Sequence, residues 1–184
     1  MRYRVITLLA IPHWLFPEII MLDHKDILTE ARTIAVIGCS DSPHRTSHRI
    51  AGYLQRAGYR VIPINPNHDE VLGERCYPDL QHVPDDVTID IVNIFRNPRY
   101  TADMVQQAIT YAEATGTKPV VWTQLGVSTQ QAELMAREAV LPYVKNRCIM
   151  VEHARLVGTQ PDQRGAAGDE IQLAVQVGHP EAVD

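Results

Sequence analysis

The sequence predicts one doubly wound α/β domain with a mainly parallel sheet of five strands. Three observations carry that prediction. Short apolar runs rich in β-branched residues alternate with stretches of helical periodicity from Ile34 to Lys145. The first of these runs, Ile34-Ala35-Val36-Ile37, ends at Gly38 and passes through a small polar loop into a helical pattern near Thr46. Later runs also end in turn residues, at Asn65-Pro66-Asn67, Phe95-Arg96-Asn97 and Gln124-Leu125-Gly126. Regular alternation implies parallel strands joined by right-handed crossovers, with the first strand central at the switch point.

In chain order, a short helix over Asp26 to Ala31 leads into the first strand. After the loop, Ile50, Ala51, Tyr53, Leu54 and Ala57 recur at helical spacing, and Gly58 stands where a left-handed residue closes a helix, which sets a helix over Ser47 to Ala57. Tyr59 to Ile64 reads as the second strand, with Pro63 tolerable only near its end. The segment from Asp69 to Asp86 is turn-rich and holds one short helix near Asp79 to His82. Ile89 to Phe95 is the third strand. Asn97 is a good N-cap and Pro98 suits a first helical turn. Val105, Ala108, Ile109 and Ala112 form the buried stripe of the following helix, which Gly116 closes. Pro119 to Thr123 is the fourth strand, Ser128 with Gln131 forms a capping box for a helix through Ala139, and Tyr143 to Lys145 is the fifth strand.

The ends read differently. Residues 1–20 form an N-terminal extension in which Arg2 and Arg4 precede an apolar run that His13, two prolines and Glu18 interrupt before it reaches a spanning length. Met21 directly precedes an opening suited to the domain, so the numbered start is read as upstream of the true one, with a real N-terminal helix as the rival. The domain then covers residues 21–156, and residues 157–184, which show no periodicity, form an expected disordered tail.

Composition narrows the function classes. The chain has 184 residues, 45% hydrophobic and 21% charged, enough for one core. A net charge of −5 argues against nucleic-acid binding through a broad basic surface. No membrane partner is expected. Cys39, Cys76 and Cys148 lie far apart without CxxC spacing, which points to reduced thiols and a cytoplasmic location.

The turns at the carboxyl edge of the sheet form the candidate site. The first offers backbone N–H groups, the positive end of a helix, the hydroxyls of Ser40 and Ser47, and the cations Arg45 and Arg49, a set that suits phosphate. Gly38 lacks a G-x-G-x-x-G continuation, and the second strand ends in Asn65 rather than Asp or Glu, which argues against a ribose-diol dinucleotide site. A nucleotide with a phosphate on its ribose fits better. Cys39 reads as a small residue that fits the loop, with a mixed disulfide to a ligand thiol as the minority reading. Cys148, Glu152 and His153 read as a buried thiol beside a surface Glu-His pair, with a metal or nucleophile site as the minority reading. Trp122 and Phe95 read as core aromatics.

Four blocks in order, VIGCSDSPHRTSHRIAGYLQRAGYRVIPINPN, DIVNIFRN, VVWTQLGV and NRCIMVEHARL, resemble the small stand-alone coenzyme A-binding proteins. These are single Rossmann-like domains similar to the nucleotide-binding domain of the succinyl-CoA synthetase α subunit. The resemblance covers about Asp23 to Leu156. It implies binding of coenzyme A or an acyl-CoA through its 3′-phospho-ADP half. Gly38, Cys39 and Ser40 would approach the pyrophosphate, and Arg45 and Ser47 would contact phosphate. Asn65, Pro66 and Asn67 would face the adenosine end, and Phe95, Arg96 and Asn97 would line the opposite wall. The synthetase carries its phosphohistidine in a second domain, so ligase chemistry is not carried over. The expected role is a non-catalytic carrier, sensor or redox-linked protein; an NADP-dependent oxidoreductase and a ligand-regulated protein-interaction module are the rivals.

Overall fold

The computed structural model describes residues 23–158. The readings of the N-terminal extension, of a start at Met21 and of the tail beyond Gly158 concern residues outside that span. Five parallel strands, β1 (Thr33–Ile37), β2 (Arg60–Ile64), β5 (Ile91–Ile94), β6 (Val120–Thr123) and β7 (Tyr143–Val144), form one sheet in the order β2-β1-β5-β6-β7. β1 is internal, with β2 on one side and β5 on the other. The chain runs outward from β1 to β2 and then returns to continue through β5, so its direction of travel reverses between β1 and β5. In an open α/β sheet that reversal splays the two adjoining turns apart and leaves a crevice at the carboxyl edge.

Side-chain alternation divides the core into two layers. Ile34, Val36, Ile91 and Trp122 pack with α1 (His24–Glu30), α2 (Thr46–Arg56) and α5 (Ile149–Leu156) through Leu28, Ile50, Leu54 and Ile149. Ala35, Ile37, Val92, Ile94 and Val121 pack with α3 (Thr101–Thr115) and α4 (Gln130–Glu138) through Val105, Ala108, Ala132 and Ala136. Both faces are covered, which is why the central strands read as continuous apolar runs. Among the described residues no helix is long and apolar enough to cross a membrane.

Several boundaries shift for identifiable reasons. Asp90 leaves the third run before the strand begins: its Oδ2 accepts from the backbone of Arg32 and Thr33 at 2.8 and 2.9 Å, tying the entrance of β1 to that of β5. Pro63 is admitted because its carbonyl faces away from β1, toward Tyr77 N at 3.0 Å, so its missing N–H falls outside the β1 ladder. A small hairpin, β3 (Glu70–Val71) and β4 (Glu74–Arg75), occupies the segment read only as turns. Its tip is Leu72-Gly73, both at positive φ, and lacks the Asn-Gly or Asp-Gly signature.

A single 3-10 turn, Pro98–Tyr100, precedes α3 and is capped by Asn97 Oδ1 on Arg99 N. The fully buried stripe of α3 therefore runs through Thr101, Val105, Ala108 and Tyr111, and Ile109 and Ala112 lie at its margin. Thr129, not Ser128, caps α4, accepting from Ala132 N at 3.2 Å, because the Ser128 hydroxyl is held by Tyr143 at 2.7 Å.

Candidate nucleotide site at the carboxyl edge

The site is built around the exit of β1. Gly38 has φ +81°, and a Cβ placed on it would lie 2.0 Å from the carbonyl oxygen of Phe95. Only glycine permits the turns after β1 and β5 to meet this closely. The contact is pinned from both sides, since Gly38 N donates to Ile64 O at 2.9 Å and Phe95 N donates to Ile37 O at 2.8 Å.

From Gly38 the chain curls into a loop that orders itself. Ser40 N donates to Ser47 Oγ at 3.1 Å, Ser42 N donates to Ser40 Oγ at 3.1 Å, and His48 Nδ1 lies 3.0 Å from Ser40 O. Ser47 is buried, and its hydroxyl still holds a proton to donate. Arg45 occupies the N-cap of α2 without a side-chain cap bond, which leaves first-turn N–H groups directed toward the loop with the positive end of the helix dipole behind them. Arg45 itself is exposed.

The neighbouring turns close the rim. Asn65 is buried, its Nδ2 donating to Cys39 O at 2.9 Å and its Oδ1 accepting from Asn67 N at 3.1 Å. It therefore braces the first two turns against each other, while Pro66 and Asn67 are exposed beyond it. His68 Nε2 stands 3.4 Å from Asp41 Oδ1, a further contact between the same turns. Across the crevice, the stem of Arg96 lies over Gly38, and the guanidinium groups of Arg96 and Arg99 stand 5.6 and 4.6 Å from the Tyr100 ring. Phe95 is a core residue at 8% exposure, and Asn97 is half-buried as the cap described above.

The structure thus gathers all the named turn residues at one edge of the sheet. Reading the chain by itself missed Asp41 and His68 as a clasp.

Cys39 is fully buried, and burial, with Cys76 nearby, pushes its thiol up to about 12. The space-filling reading fits that environment, whereas thiolate chemistry does not. At α5 one expectation is corrected. Glu152 and His153 are not a surface pair but are buried at 6% and 4% exposure, because α5 packs between α1 and α2. His153 Nδ1 meets Tyr53 Oη at 2.9 Å, and its ring stands edge-on to Tyr53 and Tyr59. Glu152 pairs with Arg155 at 2.6 Å and lies 3.7 Å from His24 and 3.9 Å from Arg147. No group of three or more metal-ligating side chains occurs among the described residues.

This pair should make stability acid-sensitive. Burial holds His153 below its ordinary range, so the unfolded chain takes up a proton that the folded chain refuses, and stability falls as the pH drops below about 6.5. Burial pushes Glu152 up, but the Arg155 hydrogen bond and the charges of Arg155, His24 and Arg147 outweigh it and hold the carboxyl below its ordinary value. Its contribution is present above the ordinary carboxylate value and is lost as the pH falls through the lowered one. Melting temperatures of wild type and His153→Phe from pH 7.5 to 4 test this. The variant should flatten between pH 7 and 5.5, and profiles that stay parallel there would remove His153 as the source.

A family model described as CoA binding domain matches residues 32–154. The chain is 38% identical over 130 residues to the uncharacterized protein YneT of Bacillus subtilis (strain 168), covering 71% of this chain and 91% of that protein. A hypothetical protein from Pyrococcus horikoshii OT3 superimposes with a TM-score of 0.67 at 40% identity, covering 75% of this chain and 94% of that one. An ADP-forming acetate–CoA ligase II of Archaeoglobus fulgidus is 30% identical over 82 residues, which is 42% of this chain but 12% of the ligase.

Proposed function

The chain belongs to the family of CoA binding domains, and from that membership we propose that it binds coenzyme A or an acyl-CoA through the 3′-phospho-ADP half. The observation that carries the reading is the close Gly38–Phe95 turn contact, which lets the loop after β1 curl beside the uncapped start of α2, where backbone N–H groups can meet a phosphate. In this reading Gly38, Cys39 and Ser40 lie along the pyrophosphate, and Arg45 and Ser47 hold phosphate. Asn65 fixes the floor beneath the adenosine end, with Pro66 and Asn67 beside it, and Phe95, Arg96 and Asn97 form the far wall. The role is that of a non-catalytic carrier or sensor working in the cytoplasm. A redox role through Cys39 is disfavoured by the burial of that thiol.

Isothermal titration with coenzyme A, 3′-dephospho-coenzyme A, NADP and NAD under reducing conditions tests the proposal. Coenzyme A should bind at micromolar strength, and loss of the 3′-phosphate should weaken it. Arg45→Ala should cost about 1–3 kcal/mol, the scale of a charge-assisted hydrogen bond. Binding of NADP alone would turn the assignment to an oxidoreductase, and binding of none of the four would turn it to a protein-docking role. Unchanged affinity in a folded Arg45→Ala would remove that residue from the site.

A further inference from the structure

The turn after β5 carries two cations without acidic partners. Arg96 is half-buried and Arg99 is exposed, and among the described residues no carboxylate stands within ion-pair distance of either. Arg147 and Arg155, away from the crevice, both reach Glu152 instead. What holds Arg96 and Arg99 is one aromatic ring: their Cζ atoms stand 5.6 and 4.6 Å from the centre of Tyr100. A ring attracts a guanidinium but cancels none of its charge, so both groups keep the charge and the N–H donors that a carboxylate would engage.

The ring stands on a fixed root. Asn97 shapes the turn, accepting from Arg99 N at 3.2 Å through Oδ1 and from Tyr100 N at 2.9 Å through its carbonyl. The next residue, Thr101, is fully buried and donates its hydroxyl to Val127 O at 2.7 Å. Tyr100 is half-buried between these anchors, and its hydroxyl makes no hydrogen bond among the described residues, so the ring is the part of the side chain in use.

Arg96 is tied to the crevice at its stem. Its Cδ passes 3.0 Å from the position that a Cβ on Gly38 would take. The stem therefore crosses the first turn, and the ring decides where the charged end lies. A free arginine side chain spreads over many rotamers, and ordering it when an anion arrives costs affinity. A ring that holds the group beforehand removes part of that cost.

We propose that Tyr100 is a positioning residue for ligand binding: its ring holds the Arg96 guanidinium in place at the wall of the crevice, so that the cation is already ordered when a phosphorylated ligand enters. This inference rests on the coenzyme A reading above. Its test is titration of coenzyme A into wild type, Tyr100→Leu, Tyr100→Phe, Arg96→Met and Arg99→Met, and into the two arginine variants combined with Tyr100→Leu, with thermal melts as a check on folding. Tyr100→Met stands in if Tyr100→Leu fails to fold.

Tyr100→Leu should lose roughly three- to tenfold in affinity, the range of a cation–π contact. Tyr100→Phe keeps the ring and should stay within about twofold of wild type. On the Arg96→Met background the change to Leu should cost less than about twofold, because no guanidinium remains there to be placed. Equal losses in the Phe and Leu variants would make the hydroxyl the active part. A Leu loss that persists in full on Arg96→Met would mean that Tyr100 acts on its own, and one that vanishes only on Arg99→Met would assign the ring to the other arginine. Unchanged affinity in folded Tyr100→Leu would mean that Arg96 finds its place unaided. Each of these overturns the inference while coenzyme binding by wild type still stands. If wild type binds no coenzyme A, the coenzyme reading itself fails and the role of Tyr100 falls with it.

Discussion

Gly38→Ala is expected to destabilise the domain by roughly 3–5 kcal/mol, a drop of roughly 6–20 °C in melting temperature for a chain of this size. Two effects contribute. Alanine at φ +81° is strained by about 1 kcal/mol or more, as at any left-handed position. Steric overlap costs more: the new methyl would sit 2.0 Å from Phe95 O, a backbone atom that cannot swing aside as a side-chain end can. Because Phe95 N is held by Ile37 O and Gly38 N by Ile64 O, relief requires the ends of β1, β2 and β5 to separate. Gly58→Ala supplies the control, since Gly58 has φ +96° and open space around its Cβ position. That variant should lose only the conformational part, about 1 kcal/mol. Similar melting losses for the two would show that the close approach at Phe95 O is not a constraint. If Gly38→Ala folds at reduced temperature, its coenzyme A affinity should fall as well, because relieving the clash parts the turns after β1 and β5 and displaces the loop proposed to meet the pyrophosphate.

Much of this arrangement could be read from the chain because it depends on local periods and punctuation. Strand-ending Gly38, helix-closing Gly58 and Gly116, and capping Asn97 each announce themselves through backbone chemistry that only a few residue types satisfy. The apolar runs of β1, β5 and β6 read correctly because both faces of the sheet are covered, so no alternation was needed to find them.

What stayed hidden depends on contacts across long sequence separations. Ser128 looked like the α4 cap until Tyr143, from the following strand, took its hydroxyl. Glu152 and His153 looked like surface residues because charge is normally solvated; the burial follows from Tyr53, Tyr59 and His24, which lie far away in sequence. The Leu72-Gly73 hairpin went unread because Leu72 adopts a left-handed conformation that leucine rarely favours. Asn65 shows how a site residue can be located correctly and still hold a further task. Its position at the crevice followed from the end of β2, but its bond to Cys39 O depends on how two separate turns fold against each other.

Trp122→Ala should carry a comparable cost, about 3–5 kcal/mol, through loss of a large buried side chain. The indole does more than fill volume. Its Nε1 donates to Arg147 O at 2.7 Å, and Arg147 N in turn donates to Thr123 O at 3.0 Å, so the chain entering α5 is fastened to the end of β6. Trp122→Phe separates the two contributions: most of the apolar burial remains, while the Arg147 carbonyl loses its donor, at about 1–3 kcal/mol for the deleted bond and the space left by the smaller ring. Thermal or urea unfolding of the three proteins should rank wild type above Trp122→Phe and Trp122→Phe above Trp122→Ala. A Phe variant as stable as wild type would show that the indole N–H contributes nothing net. Because the ring lies on the α5 side of the sheet and not among the phosphate-facing turns, coenzyme A affinity of folded Trp122→Phe should stay within about threefold of wild type, the scale of a ~0.6 kcal/mol change. A larger loss would mean that the anchoring of α5 helps to shape the binding crevice, and the boundary between scaffold and site would then have to be drawn to include β6.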